Sequence, residues 1–297
     1  MKFPHLLALA VILSVGIDPA KADENYQKEI DSWRAQRVSR LTAADGWLTL
    51  VGLHFLGPGE NTIGRSADNR IVLASGPAHF GTAHLAPDGK VAFTPARDSG
   101  ALVDGRPADG LELKPGGAGK PTLVTSGTVS FFLIERGGRM ALRVKDSAAE
   151  RRTHFLGIDY FALDPSWRIE ARWVQFNPPR EVPITNMIGN VSTEKIPGKA
   201  VFKRDGKTYE LLPIVEGPNE PLFFVISDAT SGKESYLAAR FLDADPPVNG
   251  KVMLDFNKVE NPPCAFTPFA TCPLPPKENQ LTLAATAGEK KYRGEHD

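Results

Sequence analysis

The sequence predicts a mainly β protein, with one N-terminal helix followed by two antiparallel β units in series. Beyond residue 45 the chain breaks into short runs rich in Val, Ile, Phe and Leu, separated by Gly, Pro, Asp and Asn, the pattern of strands and tight turns. Apolar residues at helical spacing stand out in one stretch near the start. A length of 297 residues at 41% hydrophobic content is enough for two modest domains or one large β-rich one.

Residues 1–22 read as an export signal. Lys2 precedes an apolar core from Leu6 to Ile17, and Ala20-Lys21-Ala22 has the small-residue pattern of a cleavage site. The apolar core is too short to span a bilayer well, so no membrane span is expected once the signal is removed. The expected location is periplasmic or secreted. Residues 23–45 place Tyr26, Ile30, Trp33, Val38 and Leu41 near helical spacing among charges, which predicts one amphipathic helix.

The first β unit is expected over 46–150. Its apolar runs include "TVSFFLIER" and "MALRVKD", with hairpin turns at Pro87 to Lys90 and Glu135 to Met140. The second unit, 151–297, contains "WRIEARWVQF", where Trp167, Ile169 and Ala171 alternate with Arg168, Glu170 and Arg172. A hairpin turning at Asp205-Gly206 follows, then "PLFFVISD", "SYLAARFL", "KVMLDFN" and "NQLTLAATAGEK" as further strands.

Lys plus Arg equals Asp plus Glu at 35 each, so no overall field attracts nucleic acid or an anionic membrane. The sequence implies no cofactor and contains no Gly-x-Ser-x-Gly elbow, phosphate loop or HExxH helix. The partner it leaves open is a small-molecule or polymeric ligand. Oligomeric state is not legible.

Both cysteines, Cys264 and Cys272, fall in "NPPCAFTPFATCPLPPKENQ". For an exported chain a disulfide is the simplest expectation. It would close a nine-residue ring, which the chain-entropy estimate values at about 2.5 kcal/mol. A metal clip lacks local ligands, and a reactive thiol lacks a local base.

"GENTIGRSADNRIVLASG" followed by "SGALVDGRPA" resembles the forkhead-associated domain, a β-sandwich that reads phosphothreonine. The match lies in Ile63-Gly64-Arg65, Asn69 to Leu73 and Ser99-Gly100. The family's Ser-x-x-His is missing, since Ser75 and His79 are four apart, and Ser99 stands where the family has asparagine. The likeness therefore implies a scaffold and not phosphopeptide binding. His79, His84 and His154 read as isolated structural histidines.

"FFVISDATSGKESYLAARFL", "LDFNKVENPPCAFTPFATCPLPPKENQL" and "AGEKKY" resemble the bacterial family catalogued as domain of unknown function sixteen-eighty-four, over most of the mature chain. Asp228, Thr230, Ser231, Gly232, Tyr236, Arg240, Asp255, Asn257, Asn261, Cys264, Cys272, Glu278 and Asn279 fit its blocks, and Ala239 replaces a glycine. The resemblance implies no activity.

Read physically, Asp228, Thr230 and Ser231 form an Asx-type turn, and Arg240 meets Asp255 if their strands pair. The sharper expectation is one polar site joining the "DATSG" turn to the proline-rich loop. Asp228, Thr230, Ser231, Tyr236, Arg240, Asn257, Asn261, Glu278 and Asn279 would be its ligand-binding groups. A hydrolase would use Asp228, Glu234 or Asp255 as acid and base, and a structural envelope protein is the third reading.

Overall fold

The structure, a computed structural model, describes residues 19–107, 110–117, 119–215, 217 and 220–294. The expected export signal before residue 19 lies outside them. Helix α1 (Pro19–Thr42) overlaps the predicted helix and ends three residues before its expected limit at 45, where the chain turns. Its buried stripe is Tyr26, Ile30, Arg37 and Leu41, and so includes a charged residue. Among the described residues no helix is long and apolar enough to cross a membrane.

In chain order the next strands are β1 (Leu50–Phe55), β2 (Gly59–Gly64), β3 (Ile71–Val72), β4 (Gly81–Leu85), β5 (Val91–Pro95), β6 (Leu102–Val103), β7 (Arg106–Pro107), β8 (Leu111–Glu112), β9 (Val124–Ser126), β10 (Val129–Arg136) and β11 (Arg139–Asp146). They form a six-stranded sheet, β1-β11-β10-β9-β6-β7, and a five-stranded sheet, β3-β2-β4-β5-β8. Ile63, Ala83 and Phe93 of one sheet pack against Phe131, Leu142 and Val144 of the other. Phe80, Phe93 and Phe131 meet edge to face with centroids 5.1 to 6.5 Å apart.

Both expected hairpins form, β4 to β5 and β10 to β11. At the second, Gly137 and Gly138 take φ of +57° and +71°, which the two-residue turn requires.

Along β11, Leu142 and Val144 enter the sandwich core, so Arg143 and Lys145 face the other way. That outer face is not left to water. The turn Trp47–Thr49 and the loop around Cys272 cover it, and Arg143 is 8% exposed.

The short helix α2 (Glu150–Thr153) leads to the second set of strands: β12 (Arg168–Thr185), β13 (Val191–Arg204), β14 (Lys207–Leu211), β15 (Leu222–Ile226), β16 (Arg240–Ala244) and β17 (Lys251–Asp255). β14-β13-β12-β17 form a four-stranded sheet, and β15 pairs with β16. The long β12–β13 hairpin shifts register between Gln175 and Arg180. Pro178 and Pro179 fall there and offer no N–H to the ladder.

Two strand expectations need correction. "SYLAARFL" is extended only from Arg240, because Thr230 to Ser235 close tight backbone turns ahead of it. "LTLAATA" alternates buried and exposed from Leu281 to Ala287, yet it is no strand. Its partners change from main chain to side chains along its length: the Leu281 N–H donates to the Ser227 carbonyl and the Leu283 carbonyl accepts the Ala229 N–H. After that, Arg240 Nη1 and Nη2 donate to the carbonyls of Ala287 and Ala285, and Asp228 Oδ1 accepts the Ala285 N–H.

Candidate functional site

The sequence-selected polar residues separate into several small networks, each closed largely on backbone. Asp228 pairs with Arg240 and not, as the strand order suggested, Asp255 with Arg240; both side chains of the pair are fully buried. Asp228 Oδ1 also accepts the Thr230 N–H at 2.8 Å and the Thr230 hydroxyl at 2.7 Å, and Ser231 Oγ accepts the Asp228 N–H at 3.1 Å. These bonds make the expected Asx-type turn.

Asp255 Oδ1 accepts the Tyr26 hydroxyl at 2.7 Å, and Asn257 donates to that hydroxyl and to the Asp164 carbonyl. Asn279 donates to the carbonyls of Leu212 and Val225 and accepts the Leu212 N–H. Tyr236 donates to the Cys264 carbonyl at 2.9 Å. Glu234 and Glu278 are exposed.

The expected staple is not formed: Cys264 and Cys272 are free, buried thiols. Cys272 Sγ accepts the Cys264 N–H at 3.2 Å. A hydrogen bond from the neighbouring thiol draws Cys264 below the usual thiol range, and the same bond followed by burial pushes Cys272 up. Other contacts tie the loop: Thr267 donates to the Leu50 carbonyl at 3.0 Å, and Arg136 donates to Thr271 at 3.0 Å.

Asn261 leads to groups that the sequence did not single out. Its N–H donates to Glu289 Oε2 at 2.7 Å and its amide to the Lys290 carbonyl, while Oδ1 is buried without a partner. Glu289 is 0% exposed, and Arg37 of α1 reaches it at 2.9 Å and Glu260 at 3.2 Å. Arg37 also donates to the Asn261 carbonyl at 2.7 Å. Burial opposes the Arg37 charge, but the carboxylates of Glu289 and Glu260 outweigh it and hold the guanidinium firmly protonated.

Above this clasp opens a cavity of about 560 Å³ between α1, the outer face of the six-stranded sheet and Glu260. Arg37, Arg40, Arg143 and Lys145 line it against two carboxylates, Asp45 and Glu260, with Leu41, Trp47 and Phe132 as apolar walls. Burial and then Arg136 push Arg143 down to about 10, and burial also lowers Lys145. Burial pushes Glu260 up to about 7, helped by Glu289 and Asp243 and opposed by Arg37 and Arg40.

Arg143 lies over Trp47, 5.2 Å from the ring centroid, and its buried Nε has no hydrogen-bond partner. Among the described residues no carboxylate pairs with it. The cavity thus presents uncompensated positive charge in a partly dry place, which favours an anion. The alternation in "MALRVKD" puts Arg143 and Lys145 on one face; nothing local announces that the face is covered.

Fold and site define a β-rich protein of two strand systems clasped by a helix, with a cation-lined cavity beside the clasp. Residues 153–290, just under half of the chain, match a family described as protein of unknown function (DUF1684). The match spans the second strand system, less of the chain than the sequence resemblance implied. A solution structure of an uncharacterised protein from the archaeon Haloarcula marismortui is similar at 29% identity, over 48% of this chain and 81% of that one, with a TM-score of 0.41. A crystal structure of Rad53 residues 1–466 with AMP-PNP aligns at 10% identity, over 75% of this chain and 51% of that one, with a TM-score of 0.17. Neither superposition is good enough to carry a fold or function. No curated protein matches.

Proposed function

We propose that the protein binds a small anionic ligand in the cavity walled by α1, Trp47, Phe132, Arg143 and Glu260. The observation that carries this reading is Arg143: a guanidinium 8% exposed, lowered by burial to about 10, and without a hydrogen-bond partner for its Nε. Burying a charge without a counter-charge is costly, and an anion entering the cavity removes that cost. The "DATSG" turn and the "NPPC" loop shape the wall; their polar groups are held by main chain and by one another.

The hydrolase reading draws no support from these contacts, because Asp228 is tied to Arg240 and Asp255 to Tyr26. Export to an oxidising compartment remains part of the proposal and rests on the sequence of residues 1–22. In that compartment the adjacent thiols of Cys264 and Cys272 are proposed to pair, which non-reducing mass spectrometry reads directly. For the first unit, two packed sheets fit a forkhead-associated scaffold used as architecture.

A thermal-shift series with small organic and inorganic anions, and neutral sugars as controls, tests the reading through mass action. Anions are expected to raise the midpoint, and Arg143→Gln is expected to abolish the rise. Equal stabilisation of Arg143→Gln, or none by any anion at millimolar concentration, would overturn it.

A further inference from the structure

Resting on the anion-site reading, we propose a ligand class and a regulation for the cavity: it takes a flat apolar carboxylate together with one proton from solvent, held on Glu260. The walls indicate the ligand. Arg143 lies 5.2 Å from the Trp47 centroid, and Lys145 Nζ, which donates to the Asp45 carbonyl at 2.5 Å, lies 5.7 Å from the Phe132 centroid, so both cations sit beside an aromatic ring. Phe132 and Arg143 are direct partners across β10 and β11, which fixes that juxtaposition. A ligand with one flat apolar body and one planar anionic head satisfies both surfaces, with the guanidinium edge receiving the carboxylate. At about 560 Å³ the cavity falls in the range of small-molecule sites. An inorganic anion alone would leave the Leu41, Trp47 and Phe132 walls wet.

The proton follows from the opposite wall. Glu260 is 20% exposed, pairs with Arg37 at 3.2 Å and Arg40 at 3.5 Å, and is faced by Glu289 from the C-terminal segment and Asp243 from β16. Arg37 is shared with Glu289; Tyr160 acts on Arg37 and is itself acted on by Glu289, while Lys145 donates to the Asp45 carbonyl. A second anion entering this space repels ionised Glu260 and raises its proton affinity further. Protonation turns the carboxylate into a neutral acid and releases Arg40, which is exposed and loosely paired, toward the incoming head group. The same proton weakens the Arg37–Glu260 ion pair, while Arg37 stays paired with Glu289 and hydrogen-bonded to the Asn261 carbonyl.

Glu260 is ionised above about pH 7 and protonated below it, so affinity is highest on the acid side and falls as pH rises, by up to about tenfold per unit in the limiting case. The test is calorimetry of the full chain with 2-naphthoate, at about pH 6 and about pH 8, in buffers of different ionisation enthalpy. Expected are a dissociation constant about tenfold weaker at the higher pH and uptake of up to about one proton per ligand. Glu260→Gln is expected to bind at both pH values with no proton uptake.

Naphthoate binding without proton uptake in the unaltered protein, or uptake that persists in Glu260→Gln, would overturn the proton coupling. Tighter binding of naphthyl phosphate or inorganic phosphate than of naphthoate would overturn the carboxylate class while leaving anion binding intact. Binding of none of these anions would remove the underlying anion reading as well. The unaltered-protein measurement decides the coupling even if a variant fails to fold.

Discussion

Asp228 and Arg240 show what a single buried pair does here. Arg240 is fully enclosed and bridges the turn at Asp228 to the carbonyls of Ala285 and Ala287. Removing one partner strands the other charge, so Asp228→Asn is expected to cost about 3–5 kcal/mol, read from denaturant unfolding. A cost under about 1 kcal/mol would show that water reaches the site. The sequence marked both residues but mated Arg240 with Asp255, because strand adjacency is easier to read than the reach of a turn carboxylate. Arg143 lay inside a run read only as a strand, and its burial was illegible because its cover comes from Trp47 and from a loop near Cys272, 129 residues further on.

At the scale of elements, α1 was readable from Tyr26, Ile30 and Leu41, and the hairpins from their glycines. Arg37 was not, because a charge on a helical face reads as solvent-facing until Glu289 and Glu260 are seen beneath it. Arg37→Met should destabilise by about 3–5 kcal/mol, as buried Glu289 loses its counter-charge and Glu260 keeps only Arg40. Tyr26→Phe should cost about 1–2 kcal/mol through the hydrogen bonds lost to Asp255 and Asn257. Equal costs for the two, measured side by side, would contradict the Arg37 clasp.

The first unit's loops give a separate expectation at this scale. Ser75 donates to Asp146 at 2.6 Å, Ser99 donates to the Ala96 carbonyl at 2.7 Å, and His79 lies 3.9 Å from Asp68. With hydroxyls engaged and a carboxylate beside the histidine, phosphothreonine peptides should not bind. Micromolar affinity in an anisotropy titration, lost on dephosphorylation, would reverse this.

For the whole molecule, the mainly β class and the order of elements were open to sequence reasoning, whereas "LTLAATA" was misread as a strand because its alternation is real but main-chain pairing stops at Leu283 and side chains take over at Ala285 and Ala287. Global stability should carry the mark of Glu260. Its proton is held more tightly in the folded chain, at about 7 against an ordinary 4.5. The stabilisation is therefore complete below about pH 4.5 and is lost as pH rises through about 7. Buried Glu289 is also shifted upward and adds to the same slope. Unfolding free energy should fall by about 2–3 kcal/mol across that window, and less so in Glu260→Gln. A rising or flat profile for the unaltered protein would contradict it.

Arg37 grips Glu289 across a separation of 252 residues. A ribosome delivers the helix first and Glu289 252 residues later, so this half of the grip on Arg37 must wait until both strand systems have been made. Glu260 and the Asn261 carbonyl emerge sooner and can hold Arg37 in the meantime. A chain cut short between residues 261 and 289 would keep the cavity lining and lose the buried carboxylate beneath it.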